Sequence, residues 1–477
     1  MRILLTGATG YVGGVLLGEL QRRGHVVRCL ARRPENLAGR TAATTEIVSG
    51  DASNADDLAR ACEGVDVAFW LVHSMEGGVD FERADRLAAE RFAAAAVAAG
   101  VRRIVFLGGL GADDDDRLSA HLRSRHEVGA ILRASGLDVV EFRASIIIGA
   151  GSFSFDLVRT LVERLPVMVC PAWLATPTQP IAIADVVGYL AAALELPPGG
   201  PRIFEIGGPD RVSYGAIMRE YARQRGLARL MIPVPVLTPR LSGLWLKLVA
   251  PRYARVGRKL IDGLKNPTVV TSDAALRELP VRPRGLETAV REAMLQEDTE
   301  FAGKRWADFA DIEDLPHRYG GRPEGTRLVD HRHLVVAVEP ARAFAAIERI
   351  GGTNGWYAAN WLWALRGWLD RLIGGPGMSR GRRHPEKLVT GDVLDCWRVE
   401  VCEPPRRLRL AAEMKMPGRG WLEFEVVPRD GDVTIHQTAV FDPKGLGGLA
   451  YWYAIWPLHE LVFKNMLAGI ARHAVRR

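Results

Sequence analysis

The run Thr6-Gly7-Ala8-Thr9-Gly10-Tyr11-Val12-Gly13 spaces three glycines at intervals of three residues. The chemistry open to such a loop is phosphate binding. Gly7 permits a tight turn, Gly10 lets the backbone approach a pyrophosphate, and Gly13 lets the next helix pack on the preceding strand. Unpaired N–H groups at that helix's N-terminus, together with its dipole, favour an anion. Further on, Arg32-Arg33 stand where an NAD-selective site presents an acid to the ribose 2′-hydroxyl. No acid is there, and two guanidinium groups can hold a 2′-phosphate instead, so NADP(H) is favoured over NAD(H). Gly50-Asp51-Ala52 would place Asp51 beside the adenine amino group, and His73-Ser74 would fall near the ribose or nicotinamide.

The elements that must position these residues are short and regularly spaced. Ile3–Thr6, Val26–Ala31, Glu46–Ser49, Val67–Val72, Ile104–Leu107, Val139–Phe142 and Ile203–Ile206 read as strands separated by helix-length segments, as in residues 83–99. Apolar runs of this kind predict an α/β, Rossmann-type, doubly wound parallel sheet covered on both faces. Asp185 reads as a helix cap, and 233–295 as helix with Pro and Gly breaks.

Later the period changes. Residues 303–328 lose apolar periodicity and are expected to link a domain over 1–302 to one over 329–477. Val329–Glu339 reads as a strand, Pro340 opens a helix, and Trp356–Ile373 reads as a second. Asp392–Val401, Arg407–Met416, Trp421–Val427 and Val433–Phe441 read as strands before a closing helix from Leu446 to Val475. This order describes an α+β domain whose curved sheet wraps the last helix. Eight of the twelve tryptophans, from Trp356 to Trp456, fall in it, and they predict an apolar ligand cavity between that sheet and the last helix.

Composition narrows the function. The chain has 477 residues, 48% hydrophobic and 25% charged, enough for at least two cores and a polar surface. Five cysteines without C-x-x-C spacing fit a reducing, cytoplasmic setting, and Met1 runs straight into a strand with no secretory pattern. A net charge of +7 without a basic stripe argues against nucleic acid. No apolar run is long and charge-free enough to span a bilayer, which leaves peripheral membrane contact open. His331 and His333 share a strand face without a third ligand nearby, so no metal is expected. Arg380, Arg382 and Arg383 lie in a loop able to grip an anion.

Residues 1 to about 300 resemble the atypical, NmrA-like branch of the short-chain dehydrogenase/reductases. The resemblance rests on Thr6–Gly13, Gly50-Asp51, Leu71-Val-His-Ser74, Pro180-Ile-Ala-Ile-Ala-Asp185 and Ile206-Gly-Gly-Pro209. Trp356-Tyr-Ala-Ala-Asn-Trp-Leu-Trp363 is similar to a C-terminal domain of unknown function found in part of that branch, which itself resembles the START/polyketide-cyclase helix-grip fold. The first resemblance implies a cofactor contact at Leu71. Active members carry a Ser after the fifth strand and Tyr-x-x-x-Lys on the next helix. Here the strand ends Leu107-Gly108-Gly109, and His121 and Arg125 occupy the Tyr and Lys places. His121 is then the expected proton donor and Arg125 the partner of the ribose hydroxyls. An NADP-dependent reductase or epimerase of an apolar small molecule is implied; the alternatives are a catalytically silent dinucleotide sensor and an accessory protein with a C-terminal lipid- or quinone-binding module. The sequence leaves the oligomeric state open.

Overall fold

The computed structural model describes residues 1–73, 81–111, 118–234, 266–303, 318–378, 382–429 and 431–476. They form two compact units. One is Met1–Val162 with Val167–Glu300; the other is Phe301–Arg477 with Glu163–Pro166.

The first unit opens with β1 (Arg2–Thr6), α1 (Tyr11–Arg22), β2 (Val26–Ala31), β3 (Glu46–Ser49), α2 (Ala55–Cys62) and β4 (Val67–Trp70). It continues with α3 (Phe81–Ala98), β5 (Arg103–Gly109), α4 (Ala120–Arg133) and β6 (Asp138–Ala144). With β11 (Arg202–Ile206) these strands make a parallel seven-stranded sheet in the order β11-β6-β5-β4-β1-β2-β3, the doubly wound arrangement expected. Alternate side chains feed different cores. Ile3, Leu5, Phe69 and Val105 join one cluster, whereas Leu4, Ala68, Trp70 and Ile104 join another. This is why the strands read as continuous apolar runs.

Smaller pairings follow: β7 (Ile147–Ile148) with β10 (Ile181–Ala182), β8 (Val167–Pro171) with β13 (Leu230–Val234), and β9 (Pro177–Thr178) with β12 (Val212–Ser213). Between and after them lie α5 (Phe153–Arg164), α6 (Ile183–Ala192), α7 (Tyr214–Arg225), α8 (Ala274–Glu278) and α9 (Leu286–Gly303). The helix expected from Pro233 begins instead as the strand β13, whose Pro233 and Val234 pair with Cys170 and Pro171. Most of the rest of that expectation, 235–265, lies outside the described residues. Asp185 does not cap α6. It sits in the first turn, accepts the Arg284 N–H at 2.8 Å and pairs with the Arg284 guanidinium.

In the second unit β14 (Arg322–Glu324) and β15 (Arg327–Val336) form a hairpin around Gly325, whose φ of 58° suits glycine. The end of the expected linker is therefore a strand. Then come α10 (Pro340–Glu348), α11 (Asn360–Leu372), β16 (Val393–Leu394), β17 (Trp397–Glu403), β18 (Arg407–Ala412), β19 (Gly418–Pro428), β20 (Val433–Pro443) and α12 (Gly445–Arg476). The antiparallel sheet runs β14-β15-β20-β19-β18-β17-β16. α12 lays Val462, Phe463, Met466 and Ile470 against Leu422, Phe424 and Ile435. The helix expected from Trp356 starts four residues later, because Tyr357 and Ala359 take positive φ of 60° and 49°. No helix among the described residues is long and apolar enough to cross a membrane.

Candidate active site

The glycine loop joins β1 to α1 at the C-terminal edge of the parallel sheet. Thr6 Oγ1 donates to Phe69 O at 2.9 Å and accepts from Leu71 N at 3.2 Å, which fixes the loop against the end of β4. Gly7 has φ 74°, and a Cβ there would stand 2.7 Å from Leu71 O. A Cβ on Gly13 would overlap the Gly7 carbonyl. At Gly10, by contrast, a Cβ would meet a single atom within 4 Å, Gly7 O, at a tight 3.2 Å, so beyond that carbonyl this side of the loop is open. Gly10 caps α1 without a side chain, and the first turn carries no acid. Open backbone beside an uncapped, acid-free helix N-terminus fits a pyrophosphate. Ala8 is fully buried beneath the loop, Thr9 is exposed and Val12 half-buried.

Tyr11 points its hydroxyl against Gly149, where the oxygen is buried without a hydrogen-bond partner among the described residues. Burial, and then Asp156 and Glu300, push that hydroxyl's pKa well above its ordinary value.

Where the sequence leads one to expect the adenosine, Arg32 and Arg33 follow β2 and are exposed. Asp51 accepts from Ser53 N at 2.8 Å while its own N–H donates to Asp57 Oδ2 at 2.8 Å, a turn that also carries Ala52. Burial would raise the Asp51 carboxyl, but the Ser53 hydrogen bonds and the Arg32 charge outweigh it and hold it low. Sequence reasoning missed Arg40. Its guanidinium lies against Gly14 in the first turn of α1. The available signal was a third arginine in the β2–β3 connection.

At the other end the structure assembles groups that sequence alone kept apart. His73, just past β4, stands with its ring centroid 4.7 Å from that of His121 on α4. His73 Nδ1 lies 3.4 Å from Asp85 Oδ2, a buried carboxylate of α3 that also accepts from Ser124 Oγ at 2.9 Å. Asp85 was not anticipated, being one acid among many in a surface-rich helix pattern. His126 Nε2 is 3.0 Å from Gly109 O.

Arg125 makes contacts within the chain that the sequence did not indicate. Its guanidinium is buried over the Phe106 ring and donates to Val72 O at 3.2 Å and to Leu107 O. Burial pushes its pKa down to about 10, against the pull of Asp85. These carbonyls engage donors that a ribose would need. Ser74, the other residue expected here, lies outside the described residues, as does Arg380. Arg382 donates to Ile350 O at 2.8 Å and Arg383 pairs with Asp392 at 3.2 Å, so both make internal contacts. His331 and His333 are joined by His436, with ring centroids 5.3–6.4 Å apart. No group among the described residues could hold a metal ion.

A glycine loop at the switch point of a doubly wound sheet defines a Rossmann dinucleotide-binding domain. Residues 7–148 match the family model described as NAD(P)H-binding, and residues 322–466 match the model "Protein of unknown function (DUF2867)". The chain is 32% identical over 217 residues to a (4-alkanoyl-5-oxo-2,5-dihydrofuran-3-yl)methyl phosphate reductase of Streptomyces griseus, an alignment covering 44% of this chain and 69% of that protein. The chain belongs to that NAD(P)H-binding reductase family. It is 26% identical over 310 residues to a 4-hydroxy-2-methyl-3-oxo-4-farnesyl-3,4-dihydroquinoline-1-oxide ketoreductase of Stigmatella aurantiaca, covering 58% of this chain and 91% of that one. The fold is shared with a triphenylmethane reductase of Citrobacter, at TM-score 0.52 and 17% identity over 62% of this chain and 100% of the other.

Proposed function

We propose that the N-terminal domain is an NADPH-dependent reductase acting on a conjugated carbonyl compound, with His121 as proton donor. The observation that carries this reading is the series Asp85, His73, His121 beside the strand end that fixes the glycine loop. Gly7 to Gly13 would hold the pyrophosphate, Asp51 the adenine, and Arg32, Arg33 and Arg40 the 2′-phosphate. Bound NADPH supplies a hydride to the acceptor carbon, leaving negative charge on the carbonyl oxygen. His121 holds the proton which that oxygen takes. With an ordinary pKa of about 6.5, an imidazole can deliver it at neutral pH. His73 lies between His121 and Asp85, whose buried carboxylate balances positive charge on the imidazoles. Arg125 is a positioning residue that ties together the ends of β4 and β5. The oxo-bearing compounds in the two relatives' names favour an enone or ketone as acceptor. For the C-terminal domain, the element order and the seating of α12 on the sheet favour a helix-grip, START-like fold.

The test is NADPH oxidation by the purified protein with a panel of enones, quinones and ketones. His121→Ala is expected to lower turnover by about 10²–10⁴-fold with NADPH affinity unchanged. Undiminished turnover in that variant would retire the assignment. A second reading, a silent dinucleotide sensor, draws support from the hydroxyl-free strand end Leu107-Gly108-Gly109 and from the engaged Arg125. It requires NADPH binding with no oxidation across the whole panel.

A further inference from the structure

The strand expected to bring a hydroxyl to a reacting carbonyl ends without one, since β5 closes on Leu107-Gly108-Gly109. The neighbouring strand brings one slightly further out. β6 pairs Arg143 and Ala144 with Gly108 and Gly109, the Leu110 N–H donates to Ala144 O at 3.0 Å, and Ser145 comes next. Ser145 is half-buried, whereas three hydroxyl residues gathered behind it are covered. Thr178, the last residue of β9, is fully buried, and Thr268 and Tyr214, the first residue of α7, are nearly so. Ser145 Oγ lies 2.5 Å from Thr178 Oγ1 and 2.7 Å from Thr268 Oγ1, and the two threonine oxygens are 2.9 Å apart. The Tyr214 hydroxyl bonds to both threonines. Burial pushes its pKa above the ordinary value against those bonds, so it keeps its proton.

Each of these hydroxyls has one proton to donate, and that of Ser145, like those of the threonines, has two acceptor positions. One arrangement then uses every proton. Tyr214 donates to Thr178, and Thr178 and Thr268 both donate to Ser145, which fills both acceptor positions of its oxygen. The O–H of Ser145 is left to point out of the cluster, on its half-buried side. Donors that converge in this way polarise the last O–H, and its bond to a negatively charged oxygen is the stronger for it. The cluster also stands at the edge of the sheet where His121 lies. Asn266 Oδ1 accepts the N–H of Ser119, the N-cap of α4, at 3.3 Å, and Thr268 follows two residues later. Two residues of chain reach at most about 7 Å. One short segment therefore ties Ser145 to the end of α4 that carries His121.

We propose that Ser145 is a second catalytic residue of the reductase site, donating a hydrogen bond to the substrate's carbonyl oxygen as that oxygen gains negative charge. Thr178 and Thr268 are positioning residues that aim its hydroxyl. The proposal rests on the reductase reading, so its test includes binding as well as turnover. The full chain saturated with NADP⁺ is titrated with 4-nitrophenol, whose phenolate stands in for the charged oxygen and reports its own ionisation by its yellow colour. The bound probe should ionise at a lower pH than the free one. Ser145→Ala should weaken phenolate binding about tenfold to a hundredfold, the worth of a hydrogen bond to a charged group, and return the ionisation toward that of free probe. That variant should stay folded with NADPH affinity unchanged, because Thr178, Thr268 and Tyr214 still bond to one another. Ser145→Thr, which keeps the hydroxyl, should retain the phenolate. Thr268→Val, which removes one of the two donors to Ser145, should fall between the wild type and Ser145→Ala. With the fastest acceptor among the enones, quinones and ketones, kcat should drop in Ser145→Ala by a factor similar to the loss of phenolate affinity. A wild type that does not bind the phenolate, an affinity unchanged in Ser145→Ala, or an unchanged kcat would overturn the proposal. Phenolate held through Ser145 with no NADPH oxidation by any acceptor would instead overturn the reductase reading, and Ser145 would stand as an anion donor without a reaction.

Discussion

The two seven-stranded sheets hold their candidate sites in opposite ways. The parallel sheet builds its site at the strand ends out of backbone, through a glycine loop, a bare helix terminus and carbonyls tied by Arg125. The antiparallel sheet builds its cavity on a face, out of side chains. A backbone site has no slack, because the approach of the ligand depends on the absence of a Cβ. A side-chain wall can repack. Gly10→Val is therefore expected to have the largest effect, reducing NADPH binding below detection by fluorescence titration. A Cβ there would stand 3.2 Å from Gly7 O, closer than side chains ordinarily come, so a melting temperature close to that of the wild type is the control that separates lost binding from a disturbed loop. Surviving NADPH binding in Gly10→Val would break the contrast.

The same difference decides what could be read in the sequence. Gly7, Gly10 and Gly13 announce their role because the turn, the approach and the helix packing each exclude a side chain, and the strand periodicity around them is unambiguous. The doubly wound parallel sheet followed from that pattern. The group Asp85, His73, His121 did not, because α3, the end of β4 and α4 converge only in space and no spacing along the chain encodes it. Arg125 was legible as a position but not as a contact: whether a guanidinium reaches outward or folds onto Val72 O and Leu107 O depends on how deeply α4 is buried. In the second domain the tryptophans forecast an apolar cavity, yet the outward stripe of α11, with Trp361, Leu365, Trp368, Leu369 and Leu372 exposed, was hidden. Amphipathic periodicity states that a helix has two faces, not which one the fold covers.

The second effect in size lies in the side-chain-built domain. Asp330 on β15 is almost fully buried, with His459 Nε2 3.0 Å and Arg332 Nη2 3.0 Å from its Oδ2, and His459 borders the cavity. Burial by itself would raise this carboxyl, but the hydrogen bonds and charges of His459 and Arg332 outweigh it and hold the pKa well below the usual carboxylate range. A carboxyl depressed on folding contributes stability above its unfolded pKa of about 3.9, and that contribution is lost as the pH falls below it. Asp330→Asn should therefore destabilise the domain at neutral pH by about 3–5 kcal/mol, since it leaves His459 and Arg332 without their counter-charge. The gap between variant and wild type should close as melts are taken to acid pH. A gap that persists unchanged into acid would mean the pair contributes through shape alone, and the side-chain domain would then be more tolerant than argued.

The smallest effect probes the one exposed, side-chain-built part of the backbone site. Arg32, Arg33 and Arg40 all belong to the β2–β3 connection, but they reach different places. Arg32 and Arg33 continue from β2, and Arg32 acts on the Asp51 carboxyl; Arg40 turns back onto Gly14 at the start of α1. A hydrogen bond to a charged group is worth roughly 1.5–3 kcal/mol, or about tenfold to a hundredfold in affinity. Solvent around these exposed guanidiniums favours the lower figure. Removing Arg40 as Arg40→Ala should thus weaken NADPH about tenfold and leave NADH unchanged, as should Arg32→Ala/Arg33→Ala, when both dinucleotides are titrated side by side. The two outcomes separate the arginines. Loss confined to NADPH assigns Arg40 to the 2′-phosphate that only this dinucleotide carries. Equal loss for NADH and NADPH would move its contact to the pyrophosphate they share, which Gly14's place in the first turn of α1 also allows, and would leave Arg32 and Arg33 alone to discriminate.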